Sequence, residues 1–268
     1  ILMELADIIR KADDKSQTRE ELVTRTFTQI KHLLQVATDY AFDKNLWQNY
    51  LTFLLITNEN PFSITCEKVG ANEGSVNYFA KSDFKAFMEL FHYDFSALEE
   101  YLGIDCFTRL SNYKAIGKKE LMYNKNVSEK VRMLSEKLAA AADENEFFDA
   151  VTGFYKAYGV GMFGLNKAFR IQSREDGGVN FCAINNMDAV MLDDLIGYEI
   201  QKKKLVDNTL AFVEGKKANN VLLFGDSGTG KSTSIKAIVN EFYDQGLRMI
   251  EIYKHQFKDL SSVIAQIK

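Results

Sequence analysis

The sequence predicts a chain in two parts: a mainly α-helical N-terminal domain over residues 1–185 and an α/β region with an incomplete parallel sheet over residues 186–268. Three observations carry this expectation. Apolar residues recur every three or four positions through the first 150 residues, the spacing that lays one apolar face along a helix. At Lys167 the pattern becomes β-type, in KAFRI and VNFCAI, on either side of the turn-rich QSREDGG. Beyond residue 197 a helical stretch, the apolar run VLLF (221–224), a second helix to Tyr243 and RMIEIY (248–253) alternate as a parallel sheet requires.

In chain order, the start ILMELADIIRKADDK reads as an amphipathic helix, not a leader, because acids stand among its apolar residues. Thr18 with Glu21 forms a capping box for a long helix whose expected buried stripe is Val23, Phe27, Ile30, Leu34, Ala37 and Ala41. A helix over Asp43 to Thr57 stops at the sequence ending in Pro61. Phe84, Phe87, Met88 and Phe91 suggest another, as do Val131, Leu134 and Leu138 after an Asn126 cap, and Phe147, Val151 and Tyr155. A hairpin is expected near 167–184, turning at Gly177 and Gly178, before a polar break at Asn185 and Asn186.

Composition narrows the classes. The 268 residues are 46% hydrophobic and 26% charged, ordinary for a folded chain, so disorder and collagen-like repeats are excluded. Net charge is −4, and the basic residues are interspersed with acidic ones, so the footprint of a nucleic-acid-coating protein is missing. Cys66, Cys106 and Cys182 are odd in number and far apart, which offers neither a disulfide framework nor a metal knuckle and points to a reducing cytoplasm. The longest apolar stretch, Leu46 to Ile56, falls short of the ~20 residues that span a bilayer. A start at Ile1 suggests an excised fragment.

Residues 225–232, GDSGTGKS, match the phosphate-binding pattern G-x-x-x-x-G-K-[ST] in full. Gly225, Gly228 and Gly230 let the backbone curl so that the N–H groups of Asp226, Ser227 and Thr229 face phosphate oxygens. Lys231 reaches the β- and γ-phosphates as a point charge, Ser232 offers its hydroxyl to Mg²⁺, and the helix starting there, with Thr233 in its first turn, turns its positive end to the anion. VLLF before the loop and Ile235, Ile238, Val239 and Phe242 after it supply the strand-loop-helix setting.

The stretch LDDLIGYEIQKKKLVDNTLAFVEGKKANNVLLFGDSGTGKS, residues 192–232, resembles the opening of the AAA+ ATPases. With IKAIVNEFYDQGLRMIEIYK, it looks closer still to a poorly characterised bacterial family of AAA+-like ATP-binding proteins of unknown function, which NPFS (60–63) and GLNKAFRI (164–171) also resemble. This implies an α/β P-loop NTPase fold that binds ATP or ADP with Mg²⁺. It also implies that Ile196 and Gly197 line the adenine pocket through their backbone. Asp226 and Ser227 depart from the prolines that many AAA+ loops carry after the first glycine.

Other patterns are weaker. GVGMFG (159–164) follows a helical run instead of a strand, so it reads as a helix cap and turn and not as a dinucleotide site. AVMLDD (189–194) looks like a strand ending in paired acids but precedes the loop, which leaves Asp193 and Asp194 as caps for the next helix. Glu251 is placed at a strand face. His32, His92 and His255 are isolated, without a ligand pair. Asn126-Val127-Ser128 reads as a helix cap and not a glycosylation site. Lys202 to Lys204, with Lys216 and Lys217, read as a solvated face.

The expectation is thus an ATP-binding module of an AAA+-like ATPase, with Lys231 stabilising phosphate charge and the hydrolysis machinery mostly beyond Lys268, so that turnover is slow or absent. The helical domain is expected to engage a protein partner, the full-length form to form a homo-oligomer, and membrane and nucleic acid to play no part. The alternatives are a P-loop kinase-type enzyme acting on a small molecule and a non-catalytic scaffold that nucleotide stabilises; an N-K-x-D guanine motif is missing.

Overall fold

The computed structural model describes every residue except 73, 117–122, 175, 186 and 268. The described residues are mostly helical with a small three-stranded mixed sheet, divided into two compact units, Ile1–Leu165 and Asn166–Lys268. The division expected at residue 185 therefore falls earlier. The hairpin belongs with the second unit because its first strand pairs on both sides, once within the hairpin and once with a strand some 80 residues later. Asn186, part of the expected polar break, lies outside the described residues.

In the first unit, α1 (Leu2–Asp13) lies on α2 (Arg19–Tyr40), which begins with the expected capping box: Thr18 Oγ1 accepts from the Glu21 N–H, and the Glu21 carboxylate accepts from the Thr18 N–H. The buried stripe of α2 is rotated from the expected one, to Leu22, Thr26, Gln29, Ile30, Leu33 and Ala37, while Phe27 is half exposed. The two stripes are neighbours on a 3.6-residue helix. The packing of α1 and of α3 (Leu46–Thr57) chose this one, and Thr26 satisfies its hydroxyl on the Leu22 carbonyl at 2.8 Å.

Helix α4 (Pro61–Val69) puts Pro61 at its first turn under an Asn60 cap, where the missing N–H costs nothing. It packs on α9 (Glu144–Tyr158), as does α5 (Ser75–Phe91). Short helices α6 (Ser96–Leu102) and α7 (Cys106–Ser111) are joined by Glu99, whose carboxylate accepts from the Phe107 and Thr108 N–H groups and the Thr108 hydroxyl. Helix α8 (Lys125–Ala140) is capped by Asn124 and not Asn126, with Asn124 Oδ1 accepting from the Val127 N–H at 3.2 Å. The core is aromatic and aliphatic: Phe84 and Phe91 pack on Phe147 at 6.2 and 5.8 Å, and Leu51, Val131 and Val151 are fully buried.

GVGMFG closes this unit. Gly159 caps α9 in the left-handed region (φ +83°), and α10 (Gly161–Leu165) turns back so that Gly164 lies against the Gly159 backbone; a Cβ on Gly164 would stand 2.4 Å from the Gly159 carbonyl carbon. The glycines permit a close backbone crossing.

The second unit holds β1 (Ala168–Ser173), antiparallel to β2 (Val179–Ala183) and parallel to β3 (Met249–Glu251), in the order β2-β1-β3. Helix α13 (Leu260–Ile267) buries Val263 with Ile171 and Val179. Helices α11 (Glu199–Val213) and α12 (Lys231–Phe242) pack through Leu205, Ile238 and Phe242. The run VLLF, expected as a strand, is not one: residues 221–224 pair with no strand among the described residues, and Leu222 and Phe224 are 82% and 87% exposed. An apolar sequence becomes a strand only where a ladder partner takes up its N–H and C=O groups, and residues 221–224 meet none among the described residues, although β3 pairs on one edge alone.

Candidate phosphate-binding site

Entry to the loop is set by α11. The Asn208 carboxamide donates from Nδ2 to the Asn219 carbonyl at 2.9 Å and accepts the Asn219 N–H on Oδ1 at 2.8 Å. From Asn219 the chain runs without regular structure into Gly225, where φ is +142°, and then turns through Gly228 (φ +81°) and Gly230 (φ +79°) into α12. A side chain at either of the last two would strain the turn.

The turn wraps the Lys231 amine. Its Nζ donates to the carbonyls of Gly225 (2.9 Å) and Asp226 (2.6 Å) and lies 3.4 Å from Thr229 Oγ1, which itself donates to the Asp226 carbonyl at 2.9 Å. The amide groups are left over. Among the described residues, none of the N–H groups from Asp226 to Thr233 has a hydrogen-bond partner. They form a run of orphan donors at the start of a twelve-residue helix, which fits a phosphate chain. Ser232 is exposed in the first turn, with its hydroxyl likewise without a partner among the described residues, as a Mg²⁺ ligand would need. Ser234 is committed to the helix, donating to the Gly230 carbonyl.

Beside the loop lies a cavity of about 410 Å³. Of the expected residues it gathers Gly225, Asp226, Thr229 and Lys231; Ser227, Gly228, Gly230, Ser232 and Thr233 are not in its wall. Ile196 and Gly197 are not either. The Ile196 side chain is 94% exposed, and Gly197 and Tyr198, both left-handed, turn the chain into α11. The far wall is instead Tyr198, Gln201, Lys202 and Leu205. Gln201, Lys202 and Leu205 share one face of α11, with Tyr198 at its N-cap, a signal present in the sequence but masked there by the lysine run. Lys202, expected on a solvated face, is only 18% exposed, pairs with Glu199 at 2.8 Å and donates to the Leu195 carbonyl at 2.8 Å. Lys203, Lys204, Lys216 and Lys217 are exposed as expected.

Of the carboxylates singled out in the sequence, Asp194 and Glu251 are engaged elsewhere. AVMLDD forms no strand; Asp194 caps a short 3-10 turn, Leu192–Asp194, by accepting from the Met191 N–H at 2.8 Å, and neither acid caps α11. Glu251 faces its register partner Arg170 across the parallel pair, 2.6 Å from Nε, and holds that guanidinium above its ordinary pKa.

Residues 165–268 match the family model described as a protein of unknown function (DUF815). The match begins one residue before the second unit does. No curated protein and no solved structure matches the chain. Among the described residues, no helix is long and apolar enough to cross a membrane. The match thus spans the second unit and Leu165, and the family it points to has no assigned function.

Proposed function

We propose that the second unit is the nucleotide-binding part of an AAA+-like P-loop ATPase that takes Mg·ATP or Mg·ADP on GDSGTGKS. The observation that carries this reading is the run of orphan N–H groups from Asp226 to Thr233 closed around Lys231. The loop meets the phosphates, Lys231 moves from its carbonyls onto the β- and γ-phosphates, Ser232 supplies one Mg²⁺ ligand, and the base enters the cavity toward Tyr198 and Leu205.

Hydrolysis is slow in this chain. Transfer to water needs a carboxylate at the metal and water, and Glu251 and Asp194 are engaged away from the loop. Calorimetric titration with MgATP and MgADP beside a turnover assay tests both points. Binding by the wild type that disappears in Lys231→Ala supports the reading; no binding by the wild type, or binding unchanged in that variant, sinks it.

The helical unit is proposed to take a protein partner over the apolar cavity of about 450 Å³ lined by Leu54, Phe62, Phe79 and Phe84, above which Phe79 is 67% exposed.

A further inference from the structure

We propose that Asn208 is a positioning residue for nucleotide binding: its carboxamide fixes α11 and the loop-bearing segment in the alignment at which both walls of the cavity meet one ligand. This rests on the nucleotide reading above. Gln201, Leu205 and Asn208 lie at positions i, i+4 and i+7 of α11, on one stripe, and the first two line the cavity. Asn208 binds both polar groups of the Asn219 backbone, at 2.9 and 2.8 Å, as a neighbouring strand would. Residues 221–224 have no ladder, so this pair is the hydrogen-bonded tie between α11 and the segment that ends in Gly225, among the described residues.

One planar amide that both donates and accepts sets distance and rotation together. Alanine supplies neither bond, and an ionised aspartate supplies the acceptor but sets a charge against the Asn219 carbonyl. The consequence separates two ligands. Tripolyphosphate needs only the loop and Lys231, whereas ATP spans the loop and the α11 wall.

The test compares MgATP with magnesium tripolyphosphate by calorimetry on the wild type, Asn208→Ala, Asn208→Asp and Lys231→Ala, at a temperature where melting curves show each protein folded. Asn208→Ala is expected to weaken MgATP about tenfold, as the loss of one or two net hydrogen bonds would, and to leave tripolyphosphate within about twofold. Asn208→Asp, nearly isosteric, keeps the test open if the alanine variant does not fold. It is expected to match the alanine variant near pH 8 and to recover relative to the wild type toward about pH 5, because the adjacent carbonyl favours the protonated carboxyl, which can donate. Equal loss of both probes, or MgATP affinity within about twofold of the wild type in the variants, overturns the proposal. If the wild type binds both probes and Lys231→Ala neither while the Asn208 variants bind normally, only this proposal falls. A wild type that binds neither probe brings down the nucleotide reading with it.

Discussion

The Lys231 ammonium stands 2.9 Å from the Gly225 carbonyl, so the first residue of α12 closes the loop that precedes it. The same amine is the one the phosphate-loop pattern assigns to phosphate, and here its donors face the Gly225 and Asp226 carbonyls. On the proposed function, ligand binding would exchange loop carbonyls for phosphate oxygens at one cation.

That exchange predicts a clean separation of binding from stability. The Gly225 and Asp226 carbonyls are exposed, so water replaces the amine when it is removed. Lys231→Ala should leave the melting temperature without nucleotide within about 4 °C of the wild type, since a change of about 0.5 kcal/mol moves the transition of a unit this size by about 2–4 °C. Nucleotide should raise the melting temperature of the wild type and not of the variant; differential scanning calorimetry reads both.

In the helical unit, Gly164→Ala should be severe. Its Cβ would lie 2.4 Å from the Gly159 carbonyl carbon and 2.8 Å from the carbonyl oxygen, and Gly159 cannot retreat while it caps α9. A loss of about 2 kcal/mol or more is expected from such overpacking against backbone. Urea denaturation followed by circular dichroism measures it, and Gly153→Ala, where a Cβ meets nothing within 4 Å, is the control.

The contact between α1 and α2 is expected to weaken in acid. Arg25 donates to Glu4 at 2.8 Å, to Asp7 at 2.7 Å and to Gln17, and the Asp7 carboxyl is held well below the usual carboxylate range, first by Arg25 and then by Lys11. A depressed carboxylate stabilises the fold above its unfolded pKa, near ~4, and that contribution drains away as pH falls further toward its folded value. Asp7→Asn should therefore be less stable than the wild type at neutral pH, with the gap narrowing below about pH 4. Chemical denaturation of both proteins across that range decides it.

Thiol labelling should divide the cysteines. Burial, with the Glu99 carboxylate adding to it, pushes the Cys106 thiol up to about 11, and burial raises Cys66 as well. Cys182 is half-buried. Iodoacetamide at about pH 8 should modify Cys182 first and reach Cys66 and Cys106 only after denaturation, because the thiolate is the reactive form. Peptide mass mapping over time would show the order; early labelling of Cys106 would contradict it.

Much of the helical unit was legible because local chemistry decides it. The Thr18 and Glu21 box and the Gly159 stop act within a few residues, and they appear where the residues imply. The stripe of α2 was misjudged by one position because adjacent stripes differ little in apolar content, and only the neighbours that pack on α2 choose between them. The turn of Gly225 to Lys231 was legible because it is made from consecutive backbone groups. The far wall of the cavity beside it was not, since Tyr198, Gln201 and Lys202 read as a polar helix until the loop lies opposite them.

By itself, then, the sequence determined most of the helices, some of their caps, the hairpin strands and the curl of Gly225 to Lys231, all products of short-range sterics and hydrogen bonding. Tertiary structure decided what depends on partners distant along the chain. It gave the hairpin to the second unit by pairing β1 with β3, left 221–224 without a ladder, and set Asn208 against Asn219. A strand, a cavity wall and a clamp each need two segments to meet, and residue type alone does not say which two will.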